Sequence, residues 1–273
     1  MFFFLPLYDD NPIGRTPYVT YGLIALCGLV FLWQLGQDDS GIAFAMVPAA
    51  LFHPADLPAD YVSSVPSWMT IFTSMFLHGG WLHLGGNMLF LWIFGNNIED
   101  VLGYVRYLLL YLVSGAVAAL CQALPDATST VPMIGASGAI AGVLGAYLLL
   151  YPFAKVHVLM WIVIFVRIIA VPAWIMLGLW FGLQLLDGLL GDPGDAGVAF
   201  WAHVGGFVSG MVLLVLLRPR GTTLLQPPRS PSFAVTAPRN FSGRDTFHGA
   251  VQSAVSEIEA AKIRRRGPWD AVG

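Results

Sequence analysis

The sequence predicts an all-α membrane protein, a bundle of six transmembrane helices with both termini in the cytoplasm. Three observations predict it: the composition, the spacing of the apolar runs and the placement of the basic residues. Of 273 residues, 57% are hydrophobic and 11% are charged, and mean hydropathy is +0.72. A soluble domain is roughly 45–50% apolar and about 25% charged. This chain has too few charges to coat a globule of its size, so its solvent includes lipid. A net charge of −3 and a pI near 6.0 give no basic field, which argues against a nucleic-acid partner. Cys27 and Cys121 sit inside apolar runs and read as packing residues, not as a disulfide framework or metal cluster.

A hydrocarbon core about 30 Å thick takes roughly 20 helical residues. Suitable runs lie at about 20–35, 82–94, 107–124, 134–151, 169–190 and 199–217. The second is short unless residues 75–81 extend it. The stretch 156–166, between Lys155 and Arg167, is too short to cross and reads as an interfacial segment. The start, MFFFLPLYDD, lacks a basic region, and Asp9 and Asp10 interrupt it, so it does not read as a signal peptide.

The basic residues set the topology. Arg15 precedes the first run, Arg106 separates the second from the third, and Lys155 and Arg167 separate the fourth from the fifth. The remaining nine, from Arg218 to Arg266, follow the sixth. The alternate connections, about 36–81, 125–133 and 191–198, hold no Lys or Arg but do hold Asp38, Asp39, Asp56, Asp60, Asp126, Asp192 and Asp195. The positive-inside rule then places both termini in the cytoplasm and requires an even number of spans. The division is a short cytoplasmic N-terminus over 1–17, a six-span domain over 18–218 and a cytoplasmic tail over 219–273. The tail is rich in Pro, Ser, Thr and Arg and is predicted largely disordered. A weak amphipathic helix over 246–266 suits either the anionic inner leaflet or solvent. The chain shows no internal repeat, which removes support for an inverted-repeat transporter.

Polar side chains inside a span are expensive. Four stand out: His83, Asn87, Ser137 and His203. With alternating topology, all four fall in the outer third of the membrane. His83 and Asn87 are four apart and share a helix face. Ser137, Ala141 and Gly145 form a small-residue stripe, and His203, Gly206 and Gly210 form another. Such stripes let helix backbones approach closely. Packed together, they bring Ser137 within reach of His203. A serine hydroxyl becomes a nucleophile when a base takes its proton, and neutral imidazole is the usual base. His83, Asn87 and the Ser137 amide at a helix start can supply donors for an oxyanion. Singly, each residue has a plainer reading: packing for Ser137, an interhelical hydrogen bond for Asn87, a satisfied bundle histidine for His203. A metal site of His78, His83 and His203 has no accompanying acid and no His-Glu-x-x-His pattern, so no metal is expected.

These residues carry a resemblance. HLGGN at 83–87, GASG at 135–138 and AHVGGFVSG at 202–210, in this order within six spans, resemble the rhomboid family of intramembrane serine proteases over roughly residues 15–218. The resemblance implies Ser137 as nucleophile and His203 as general base of a two-member dyad. It implies His83, Asn87 and the Ser137 amide as the oxyanion hole, and Gly135 as room for substrate beside the serine. It further implies supporting roles for His78 in the loop, for Glu99 as a structural acid at the inner end of the second span, and for Gly206 and Gly210 in close packing. Many members carry an aromatic four residues after the serine, where this chain has Ala141. The Trp-Arg pair that some members have in the first outer loop is also missing, and Asp126, Asp187 and Asp195 are not spaced to orient His203.

The expected activity is cleavage of transmembrane segments of single- or multi-span membrane proteins near the outer leaflet, without metal or organic cofactor. The expected location is the plasma (inner) membrane, multi-pass, with the active site opening outward. Substrate would enter laterally past the fifth span and the loop at 191–194. The rivals are an inactive rhomboid-like client-binding protein and a transporter. A transporter predicts polar residues continuing inward, and below Asn87 the fourth and sixth spans offer only Ser209, while Gln184 and Asp187 sit in the fifth.

Overall fold

A computed structural model describes residues 2–37, 41–59, 61–162, 165–190 and 200–227. It is mostly helical. Strand β1 (Phe2–Asp9) leads into helix α1 (Tyr18–Gln34). The connection that follows holds two short helices, α2 (Pro48–Phe52) and α3 (Ser67–Thr73). Then come α4 (Trp81–Phe90), a π-helical turn over Leu91–Gly95 and α5 (Asn96–Leu102), which run on without a break, and α6 (Tyr104–Ala123). Helix α7 (Ser137–Leu150), strands β2 (Lys155–Ile162) and β3 (Phe165–Pro172), α8 (Ala173–Leu190) and α9 (Phe200–Leu217) complete the described chain. The second apolar run is thus not short. Its helix continues past Phe94 through the polar Asn96–Asp100 turn, with a π-bulge of the kind that recurs at functional sites. Gly103, at φ 74°, makes the left-handed turn that separates α5 from α6.

By length and apolarity α6 and α9 are able to cross a membrane unaided, whereas α1 and α7 are shorter apolar helices. Helix α7 is the innermost: nearly every residue from Gly138 to Ala146 is buried, as expected of a helix that is hydrophobic all round. Glycines set its distance from α9. A β-carbon at Gly206 would strike the Gly138 carbonyl, one at Gly210 the Gly142 carbonyl, and one at Gly145 the Phe207 carbonyl. Helix α6 closes on the same seam, since Gly138 faces the Ala118 methyl and Gly142 the Ser114 side chain. The α7–α9 crossing is therefore backbone against backbone.

The fold is not all-α. β1, β2 and β3 form an antiparallel sheet in that order. Phe3 pairs with Trp161 and Leu5 with Leu159, and Val158 pairs with Ile169. The stretch expected to be interfacial forms strand, and the short N-terminal segment, for which no strand was expected, pairs with it. The physical reason is composition: residues 155–172 are dense in Val and Ile, whose branched side chains favour the pleated surface. A short apolar run does not distinguish a strand from a helix by periodicity. The hairpin takes Ile169–Pro172 with it, so the fifth long helix begins at Ala173. Pro6 sits on edge strand β1 beside an irregularity in the register, where a missing N–H is tolerated.

Two carboxylates, the buried Glu99 and the half-buried Asp9, tie neighbouring elements together. Glu99, fully buried, accepts from the Val19 amide at 2.8 Å, the Thr20 amide at 2.7 Å and the Thr20 hydroxyl at 2.7 Å. It satisfies the orphan donors at the N-terminus of α1 and complements its dipole. Asp9 accepts from Tyr147 Oη at 2.6 Å and Asn97 Nδ2 at 3.0 Å, which ties β1 to α7 and α5. The helix expected over 246–266, Asp192 and Asp195, and the loop at 191–194 lie outside the described residues.

Candidate active site

Ser137 is the first residue of α7. The chain arrives in an extended segment held by a Met46–Met133 bridge and by Gly135 N–H donating to the Ser74 carbonyl at 2.9 Å. Gly135, at φ +124°, turns that segment into the helix. The Ser137 amide therefore has no intrahelical acceptor, and its hydroxyl stands at the mouth of the bundle. His203 lies in the first turns of α9, whose start is held by Ala202 N–H donating to Gln122 Oε1 at 3.2 Å.

Across the glycine seam His203 Nε2 lies 2.8 Å from Ser137 Oγ. On its other side Nδ1 lies 2.6 Å from Gln184 Oε1 of α8. An amide oxygen only accepts, so with the amide placed this way Nδ1 carries the ring proton and the Nε2 lone pair faces the serine hydroxyl. The Trp180 ring, also on α8, lies 5.6 Å from the His203 ring centroid at a 40° tilt. His203 is 8% exposed.

His83 faces the serine from α4. The Gly79 amide donates to its Nδ1 at 3.2 Å, so Nε2 is the protonated nitrogen and a donor. That Nε2 would be 2.8 Å from a β-carbon placed on Gly135. Asn87 Nδ2 would be 3.8 Å from the same point; it is buried and has no hydrogen-bond partner among the described residues. Two side-chain donors thus converge beside the serine, one of them unspent. Gly135 makes room chiefly for the His83 ring, because that ring is what a side chain there would strike. His78 is buried behind His83, with ring centroids 5.3 Å apart. Its Nδ1 donates to the Phe76 carbonyl at 3.2 Å, and its amide donates to Gln34 Oε1 of α1 at 2.9 Å. Gly206 and Gly210 lie on the seam, and Glu99 caps α1.

A cavity of about 480 Å³ opens over Ser137 and His203. One wall is α4, with Leu82, Gly86 and Asn87, and the opposite wall includes Trp180 of α8. Leu82 is 93% exposed, so the cavity mouth lies between α4 and α8. Among the described residues no group of three His, Cys, Asp or Glu side chains is placed to hold a metal.

Sequence reasoning missed Gln184 and Trp180. The signal for Gln184 was present as the one amide in a span whose other polar side chain is Asp187, and a polar group there needs a partner. Trp180 gave none, since aromatics are common in spans. Its ring lies against that of His203, and Ala141 is fully buried. Asp126 accepts from Thr128 Oγ1 at 2.9 Å on an exposed loop. The Asp187 side chain and Asp195 lie outside the described residues.

A model of the rhomboid domain matches residues 65–220, which takes in all three motifs. The mitochondrial rhomboid protein 1 of Saccharomyces cerevisiae is 34% identical over 143 residues, 50% of this chain and 38% of that protein. RHOMBOID-like protein 5 of Arabidopsis thaliana is 33% identical over 155 residues, 56% of this chain and 45% of that protein. The rhomboid protease GluP of Bacillus subtilis is 41% identical over 81 residues, 30% of this chain and 15% of that protein. The chain spans less than half the length of these curated relatives.

Proposed function

The chain belongs to the rhomboid family, and on that premise we propose that it is an intramembrane serine endopeptidase. Ser137 is the nucleophile, His203 the general base, and His83 Nε2–H, Asn87 Nδ2–H and the Ser137 amide form the oxyanion hole. The observation that carries this reading is the 2.8 Å contact between His203 Nε2 and Ser137 Oγ, in a tautomer that leaves Nε2 free to accept. An inactive client-binding protein has no need of that pair. A transporter has no need of a polar site that ends at the seam, with Gln184 turned onto His203.

The spans are α1, the α4–α5 helix, α6, α7, α8 and α9, with both termini cytoplasmic in the plasma membrane. The placement of the 13 basic residues supports this topology. The reaction centre then lies toward the outer face, where its cavity meets water. Substrates are single- or multi-span membrane proteins. A helical segment has its backbone groups paired internally, so the scissile stretch unwinds before attack. Entry is lateral, between α4 and α8, with α8 giving way.

Ser137 Oγ attacks the scissile carbonyl carbon as His203 Nε2 takes its proton. The carbonyl oxygen becomes the oxyanion and gains the three donors, which are positioned before charge develops. Collapse breaks the C–N bond, and His203 returns the proton to the leaving amine. A water, deprotonated by His203, then hydrolyses the acyl-enzyme.

The test is cleavage of a single-span substrate in liposomes by the full chain and by Ser137→Ala. Cleavage by the first alone is the expected result, and cleavage that survives Ser137→Ala would falsify the reading.

A further inference from the structure

His203 is held from two helices of different character. Its backbone belongs to α9, which is fused to α7 by the glycine seam. Its ring is oriented from α8, by the 2.6 Å contact of Nδ1 with Gln184 Oε1 and by the Trp180 face. We propose that Gln184 is the positioning residue of His203, the neutral third member of a Ser137–His203–Gln184 relay. This rests on the protease reading of the same site.

Three observations support it. The amide oxygen fixes the tautomer in which Nε2 is an acceptor, the one form able to take the serine proton. A carbonyl oxygen suffices for this; in cysteine proteases with a Cys-His-Asn arrangement a neutral amide does the same work. A neutral partner also suits a ring that is 8% exposed, because a carboxylate there would have to be desolvated. Among the described residues, the groups facing the His203 ring are Ser137 from α7, Gln184 and Trp180 from α8, and His83 across the cavity on α4. None of these is an acid. The consequence is that the helix bordering the cavity mouth also aligns the base. A substrate that displaces α8 loosens His203, and the relay re-forms when α8 closes on the bound segment.

The test needs no identified substrate. The full chain in detergent micelles is reacted with a fluorophosphonate, and the rate of Ser137 modification is followed from pH 5 to 9 for wild type, Gln184→Leu and Gln184→Glu. Gln184→Leu slows modification at least about tenfold, while its thermal midpoint stays near that of wild type. Gln184→Glu keeps the shape and adds a charge beside Nδ1. It moves the acid limb of the rate–pH profile upward by about one unit or more, which a role in packing alone does not do. If Gln184→Leu does not fold, the Gln184→Glu profile still decides. Modification of Gln184→Leu at the wild-type rate, or a Gln184→Glu profile that superposes on wild type, overturns the proposal while leaving Ser137 as nucleophile. Absence of any Ser137 adduct in wild type overturns both.

Discussion

The glycines of the α7–α9 seam and the glycines of α8 are the same residue in opposite surroundings. At Gly206 and Gly210 a β-carbon would run into the backbone of α7; at Gly178 and Gly182 it would meet nothing within 4 Å. The seam is closed by backbone contact, while α8 touches the bundle mainly through α9 and leaves Leu179, Leu183 and Leu186 exposed. The difference assigns two jobs to two regions. The seam fixes how far Ser137 lies from His203, and α8 fixes which way the ring points. Distance needs a part that does not move, and the proposed lateral entry needs one that does.

The largest effect expected is on the seam side of this division. His203→Ala keeps the glycine contacts and removes the base. Cleavage in liposomes falls by about 10⁴-fold or more, with the thermal midpoint little changed. Next comes the seam itself. Gly210→Val drives two methyl groups toward the Gly142 backbone. Overpacking of this kind costs about 1–3 kcal/mol, so the thermal midpoint in detergent drops and Ser137 modification falls with it. Gly182→Val on α8 leaves both nearly unchanged. A drop of equal size for both variants would erase the contrast between the regions.

A smaller, selective effect is expected from tethering α8. Phe181 stacks on Phe207 of α9 with ring centroids 4.5 Å apart. A Phe181→Cys, Phe207→Cys pair, with Cys27 and Cys121 replaced, is to be oxidised. Cleavage of a membrane-embedded substrate then falls about tenfold, as expected where gating limits the rate. Modification by a small fluorophosphonate persists, and reduction restores cleavage. Equal loss of both activities would show that α8 does not have to move.

Much of this division was legible in the residues, and the parts that were not share a physical cause. The seam could be read because small residues repeat at helical spacing, and Ser137 and His203 could be paired because polar groups in spans are few. Glu99 could be marked as structural, but its partners, the amides of Val19 and Thr20, are some 80 positions away and appear only with the fold. The sheet was hidden because β2 and β3 are nearly continuous in apolar residues, so alternation was absent. Gln184 could be noticed as a lone amide but not given a partner, since its helix face relative to α9 is set by packing and not by sequence spacing.

The smallest effect belongs to the end of α7 away from Ser137, where Asp9 holds Tyr147. Burial, the largest cause, pushes the Asp9 carboxyl up from 3.8 to about 6, with Asp10 adding and the Tyr147 hydrogen bond opposing. The folded chain binds this proton more tightly than the unfolded chain. The stability Asp9 contributes through it is therefore fully present below 3.8 and is lost as pH rises through about 6. The thermal midpoint of wild type relative to Asp9→Asn should decline across that interval and level off above it. A constant difference would show that the carboxyl is not perturbed.

Whether Ser137 is an activated nucleophile is read most simply from the intact mass of the full chain after exposure to a fluorophosphonate. One adduct per chain is expected, mapped to Ser137, absent from Ser137→Ala and strongly slowed in His203→Ala. An adduct that forms equally well in His203→Ala, or none at all in the wild-type chain, would contradict it.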